Sequence, residues 1–207
     1  MKIQQFLLPF FLCLALTAQA QNNQREEAAN KALQDYKQLA TLSAFPPSDR
    51  ISASSLEKAT LGQRIDHQII GLEDLRAYKN TSDPKSIIRP INRATYPVLD
   101  ANGMVITSIE VEQINGKWQT AQLGNRSYVQ LFEDVRKANG LKNTEVSLVR
   151  VPGFNVYFMA REQNGRLDFS LLNETPMADI SPRQFIDART ALDRLVPAAQ
   201  KYNGLPW

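Results

Sequence analysis

The sequence predicts an α+β protein in which antiparallel β-meanders pack against helices. Five of the nine glycines follow an asparagine. An Asn-Gly pair suits both the positive φ values of a tight hairpin and the left-handed end of a helix. Between these pairs, apolar residues alternate with polar ones in some segments and recur every three or four residues in others. Tight hairpins make neighbouring strands antiparallel, and helices that follow groups of strands indicate the α+β class.

Residues 1–20 are typical of a cleavable secretory signal. Lys2 is followed by the apolar run Phe6–Leu16 and by the small-x-small site Ala18-Gln19-Ala20. The apolar run is shorter than a membrane-spanning helix requires. The single cysteine, Cys13, lies inside this leader, so the mature chain contains no thiol. We therefore expect an exported protein, periplasmic or secreted, of a bacterial envelope.

Residues 21–85 are predicted to form an N-terminal helical segment and linker. Ala29, Leu33 and Tyr36 recur at helical spacing within 24–42, and Leu39 broadens that stripe. Residues 45–49 break the pattern, and residues 54–62 permit a short helix. Alternation over 65–69 permits a strand, whereas the spacing over 72–78 instead suggests a helical turn.

Residues 86–207 are predicted to form the α+β domain. The Asn-Gly pairs divide it into three strands, a helix, three strands and a second helix, an order that allows a duplicated βββα-βββα arrangement. Pro97 interrupts the first strand and favours an edge position for it. Ser127 is the predicted N-cap of the first helix and Ser181 that of the second.

Composition argues against several functional classes. The net charge is only +3, and the two signs are interspersed along the chain, which is unlike the basic stripe of a nucleic-acid-binding protein. His67 is the only histidine, so neither a two-histidine metal site nor a thiolate site can form in the mature chain. We expect no metal and no cofactor, since phosphate-binding glycine loops and dinucleotide fingerprints are absent from the sequence.

Candidate binding residues are easier to identify than catalytic ones. Alternation places Tyr157, Met159 and Arg161 opposite the apolar positions 154, 156 and 158. Together with Asn155 and the ring of Trp118, they form the predicted recognition surface, because aromatic and arginine side chains dominate such surfaces. The alternative is a second packed layer covered by the N-terminal helices.

We therefore predict a non-enzymatic binding or assembly domain with no assigned catalytic residue. Its partner would be a protein, a peptide or a small ligand of the envelope, and not a nucleic acid. A small hydrolase remains the alternative, with His67 or paired carboxylates such as Glu110 and Glu112 as its catalytic groups.

Overall fold

The computed structural model describes residues 8–41, 51, 53–124, 126–175 and 179–202. Its helices are α1 Leu8–Thr41, α2 Ala53–Glu57, α3 Leu72–Ala77, α4 Arg126–Ala138 and α5 Ala188–Lys201. Its strands are β1 Thr60–Leu61, β2 Ile65–Ile70, β3 Ile88–Leu99, β4 Val105–Ile114, β5 Lys117–Leu123, β6 Val146–Val151, β7 Val156–Gln163, β8 Arg166–Leu171 and β9 Phe185–Asp187. The predicted α+β class is confirmed. No helix among these residues is long and apolar enough to cross a membrane.

The nine strands form one sheet in the order β5-β4-β3-β2-β6-β7-β8-β9, with β1 paired to the end of β3. All pairs are antiparallel except β2 with β6, which are parallel in the register His67↔Leu148, Gln68↔Val149 and Ile69↔Arg150. This pair, the β2–β6 seam, joins two antiparallel meanders into one sheet. The sheet thus takes in strands from both predicted segments, 21–85 and 86–207.

Helices cover the two faces of the sheet unequally. On the front face, α1 packs on β3 and β4 through Ala29, Leu33 and Tyr36, while α3 and α5 pack on β6, β7 and β8. On the back face, α4 covers the centre of the sheet, where Phe132 lies in one cluster with Leu148. The predicted helical stripe of α1 is confirmed, except that Leu39 is exposed.

The predicted βββα-βββα arrangement is not confirmed. Residues 185–187 form the short edge strand β9, which pairs with β8 before the last helix begins. That helix starts at Ala188, and the side chain of Asp187 caps it by accepting from the Arg189 backbone N–H. Ser181 is therefore not its N-cap. Ser127 is the second residue of α4 rather than its cap.

The prediction of an edge position for the strand containing Pro97 is wrong, because β3 has β4 on one side and both β1 and β2 on the other. The Pro97 carbonyl accepts from the Gly62 backbone N–H at 2.7 Å. The nitrogen of a strand residue points to the same side as its carbonyl, so the missing N–H faces the break between β1 and β2. A central strand tolerates this proline because no strand residue opposes it on that side.

The segment 63–80 and the Asn-Gly turns form the structures that their sequence patterns predicted. The strand over 65–70 and the helix over 72–77 both form, one after the other. Asn-Gly turns connect β3 to β4, β4 to β5 and β7 to β8, and another ends α4. The Asn-Gly pair at 203–204 and the linker 45–49 lie outside the described residues.

The Asn-Gly turn between β7 and β8 allows a test of the role of glycine in these turns. Gly165 has φ +74° and open space around its α-carbon. The methyl group of an alanine there would meet no neighbouring atom, so the only cost of the substitution is the left-handed backbone conformation. We expect Gly165→Ala to lower the free energy of unfolding by about 1 kcal/mol, measured by urea denaturation. Gly153→Ala is the matched control, because its added methyl makes only ordinary contacts. Equal losses in the two variants would contradict the role assigned to the turn.

Candidate functional site

A strip of the front face between α1 and α5 is left without a helix above it. Its floor is polar where the seam crosses it. The Ser147 hydroxyl donates to the Gln68 side-chain carbonyl at 3.3 Å, and Asp66 lies next along β2. Polar side chains cannot be buried under a helix without hydrogen-bond partners, which explains why the two apolar clusters of this face stop on either side. The strip is therefore an open groove in the middle of a covered sheet.

The larger cavity of this groove has a volume of about 540 Å³ and lies between α1, the β1–β2 connection and the turn after α4. Two buried polar atoms with no hydrogen-bond partner belong to residues that line it, the Tyr96 hydroxyl and the Asn143 side-chain carbonyl. Tyr96 is 3% exposed and Asn143 is 9% exposed. A buried polar atom without a partner costs free energy, so an orphan donor and an orphan acceptor beside one cavity indicate a place for a polar ligand or water.

A second cavity of about 340 Å³ adjoins the first, since Thr144 lines both. Ala160 of β7 forms part of its lining. Lys85 and Glu162 form an ion pair at 2.7 Å and both line this cavity. The two cavities together are the groove.

Charges of both signs surround the larger cavity. Asp66 pairs with Arg25 of α1 and with Arg64 of the β1–β2 connection, each at 2.9 Å. Burial raises the pKa of Tyr96 to about 12, while the positive charges of Arg64 and Arg25 oppose that rise. Tyr96 is therefore a neutral hydroxyl at physiological pH, able to donate one hydrogen bond and accept others.

The back face of the seam carries a buried chain of hydrogen bonds. His67 Nε2 lies 2.8 Å from Thr95 Oγ1, and Thr95 Oγ1 lies 2.9 Å from the Tyr128 hydroxyl of α4. The Tyr128 hydroxyl reaches Glu110 at 3.3 Å, and Glu110 forms an ion pair with Arg93 at 2.9 Å. The chain ties α4 to three strands through side chains alone.

The donor and acceptor of each hydrogen bond in this series follow from the carboxylate of Glu110 at its end. Glu110 is held by Arg93 and accepts, so Tyr128 donates to it. Thr95 then donates to Tyr128, and His67 Nε2–H donates to Thr95. His67 therefore carries a proton on Nε2, and its Nδ1 is buried without a partner. Burial, followed by the positive charges of Arg150 and Arg93, lowers the pKa of His67 to about 3.

The residues considered for hydrolysis do not meet in a cleft. His67 is 1% exposed and lines neither cavity of the groove. Glu110 and Glu112 are both bound by Arg93, and Glu133 is bound by Arg136. In the described part of the chain, no three histidine, cysteine or carboxylate side chains converge as metal ligands.

The five residues of the predicted recognition surface lie in two separate places. Tyr157, Met159 and Arg161 share the back face as predicted, and Asn155 lies exposed in the turn before them. Met159 is fully buried in the α4 cluster, and Arg161 is bound to Asp168 and lies over the ring of Phe185. Trp118 packs at the far end of the front face under Arg25. The back-face layer above Met159 is supplied by α4, not by the N-terminal helices of the alternative prediction.

Sequence reasoning did not identify Tyr96, Asn143 or Arg150. Arg150 could have been found from the sequence, because alternation from Leu148 places its charged side chain on an otherwise buried face of the strand. Tyr96 and Asn143 carried none, since an orphan hydrogen-bonding atom depends on what the rest of the fold brings near it.

Comparison with known proteins gives no relative: no protein-family model, no curated protein and no solved structure matches this chain.

The orphan hydroxyl of Tyr96 is testable without a ligand. Tyr96→Phe removes a buried polar atom that has no partner, so we expect the free energy of unfolding to rise by about 1 kcal/mol, measured by urea denaturation. Tyr128→Phe is the matched control, because its hydroxyl has two partners and its loss should destabilise the protein by about the same amount. A loss of stability in Tyr96→Phe as large as in the control would show that the hydroxyl is satisfied in the free protein.

Buried, neutral His67 predicts acid sensitivity. Below its unfolded-state pKa near 6.5, the unfolded chain binds a proton that the folded protein excludes down to about pH 3, so stability falls as pH falls. We expect a loss of about 2 kcal/mol between neutral pH and about pH 5, where most carboxylates are still ionised. Unfolding free energies of the wild type and of His67→Gln, which keeps a side-chain N–H, should diverge in slope over this range. Parallel slopes would refute the assignment.

Proposed function

We propose that this protein is an exported, non-enzymatic binding domain that holds a short polar peptide in the groove of its front face. The observation that carries the proposal is the pair of orphan atoms, the Tyr96 hydroxyl and the Asn143 carbonyl, beside the larger cavity. Export follows from the leader predicted in residues 1–20. Binding sites are concave and usually carry a few polar groups placed to orient the ligand, which this cavity supplies.

The chemistry of the groove favours a peptide over a sugar. A peptide backbone offers N–H donors and carbonyl acceptors, which match one free acceptor and one free hydroxyl. Both charge signs line the groove, as a peptide with ionised ends or side chains requires. Sugar rings are held against exposed aromatic faces, and among the described residues that line the two cavities the one aromatic is Tyr96, which is buried.

The hydrolase alternative receives less support from the described residues. A general base must come within hydrogen-bond reach of its substrate, and His67 lies beneath α4 with its unpartnered Nδ1 buried. The paired acids Glu110 and Glu112 are bound by one arginine instead of facing each other across a cleft.

Chemical-shift mapping of the full chain tests the groove directly. Trialanine, which carries amides and both terminal charges, should shift backbone signals of Gly62, Asn143 and Thr144 at millimolar concentration. Tyr96→Phe should weaken this binding by about fivefold, the value of one hydrogen bond of about 1 kcal/mol. Tyr78→Phe makes the same substitution just after α3, at a residue that lines neither cavity, and should leave the binding unchanged.

Each other outcome counts against the proposal. Shifts of the same residues by N-acetylglucosamine and not by trialanine would replace the peptide with a sugar ligand. Shifts confined to other regions, or none with either probe, would remove the groove as the binding site. Equal binding by both tyrosine variants would show that the orphan hydroxyl takes no part.

A further inference from the structure

Arginines that are partly removed from water are almost all paired in this protein. Seven arginines of the described residues are half-buried. Six of them lie within ion-pair distance of a carboxylate, namely Arg25, Arg64, Arg76, Arg93, Arg136 and Arg161. The seventh, Arg150, has no carboxylate within that distance among the described residues. Taking a guanidinium partly out of water without a counter-charge costs free energy, so the exception calls for a reason.

The surroundings of Arg150 hold it in place without neutralising it. Its neighbours across the sheet on the back face are Ile69 of β2 and Tyr157 of β7. The guanidinium carbon lies 5.1 Å from the centroid of the Tyr157 ring, and one of its terminal nitrogens donates to the Tyr157 hydroxyl at 3.3 Å. Tyr157 is itself stacked on Tyr128 of α4, with ring centroids 5.2 Å apart and planes 13° from parallel. Arg150 thus contacts a tyrosine that is itself held by stacking on α4.

The acidic side chains near Arg150 on the back face already form ion pairs with another arginine. Glu110 and Glu112 share Arg93, and neither lies within 4 Å of Arg150. The Nε of Arg150 is buried and has no hydrogen-bond acceptor.

We propose that Arg150, positioned by Tyr157, is a second binding site that takes a carboxylate from an acidic side chain of a partner peptide. This site lies on the back face of the sheet and does not depend on the groove. A planar guanidinium binds a carboxylate through two parallel hydrogen bonds, and arginine beside tyrosine is typical of residues that dominate recognition surfaces. A single unpaired guanidinium matches the single charge of a carboxylate, whereas a phosphate group at neutral pH carries more negative charge than it can balance.

The test compares two probes that differ only in charge. N-acetylglutamate N-methylamide and the corresponding glutamine compound are titrated into the full chain, while the Arg150 Nε–H and Tyr157 signals are followed by NMR. The acidic probe should shift both signals, and the neutral probe should not. Arg150→Gln should weaken binding of the acidic probe by about tenfold to a hundredfold. Arg189→Gln removes the same charge from an exposed position on α5, at the front face, and should leave that binding unchanged.

Stability separates this role from a structural one. Because Arg150→Gln leaves no carboxylate behind without its partner, we expect the melting temperature of the variant to stay close to that of the wild type. Equal shifts by the acidic and neutral probes would overturn the proposal, as would no shift with either. Shifts by inorganic phosphate and not by the acidic probe would overturn it in favour of a phosphate site. Since trialanine binding is read out at Gly62 and Asn143 on the front face, failure of one site is distinguishable from failure of the other.

Discussion

The parallel pairing of β2 with β6 is the contact on which the rest of the structure depends. Each meander could satisfy its own strands, but only this seam makes them one sheet. Alternation along the two paired strands then divides their side chains. Gln68 and Ser147 point to the front, where they form the polar floor of the groove, and His67 and Arg150 point to the back. Both proposed binding sites are therefore set by one register. A slip of one residue would exchange the two faces and bury Gln68 where His67 now lies.

The polar side chains on the two sides of the seam find their hydrogen-bond partners in different ways. On the back, α4 covers His67 and Thr95, and the Tyr128 hydroxyl completes a directional chain that ends at the ion pair of Glu110 with Arg93. On the front, Arg25 of α1 reaches Asp66, but no helix of the described residues supplies a partner for Gln68 or Ser147, and this part of the strip remains open to solvent. Closing the front would require a helix with complementary hydrogen-bonding side chains. For this reason the groove, on the open side, offers a binding site that needs no rearrangement of a helix. Arg150 lies at the border of the side that α4 covers.

Local patterns predicted the local features well. Asn-Gly turns, the stripe of α1 and the strands around Val149 and Phe158 depend on neighbours in sequence, and they formed as expected. Long-range features were not predictable in the same way. Pro97 signals an edge strand unless the break between β1 and β2 is known. Ser181 is a good cap in isolation, but pairing of residues 185–187 with β8 moves the helix start to Ala188. Tyr96 and Asn143 are ordinary residues until the fold leaves them beside an empty space.

The same seam imposes an order of events on the growing chain. Gln68 and Ser147 are 79 positions apart, so a ribosome releases β2 well before its parallel partner has been synthesised. Until then, one side of this strand can pair only with water or with another molecule. The neighbouring hairpins close through short connections, whereas this junction joins the strand pair with the greatest sequence separation and has the largest loop-closure entropy to overcome. A holding chaperone that shields residues 65–70 would protect the strand edge that waits for this distant partner.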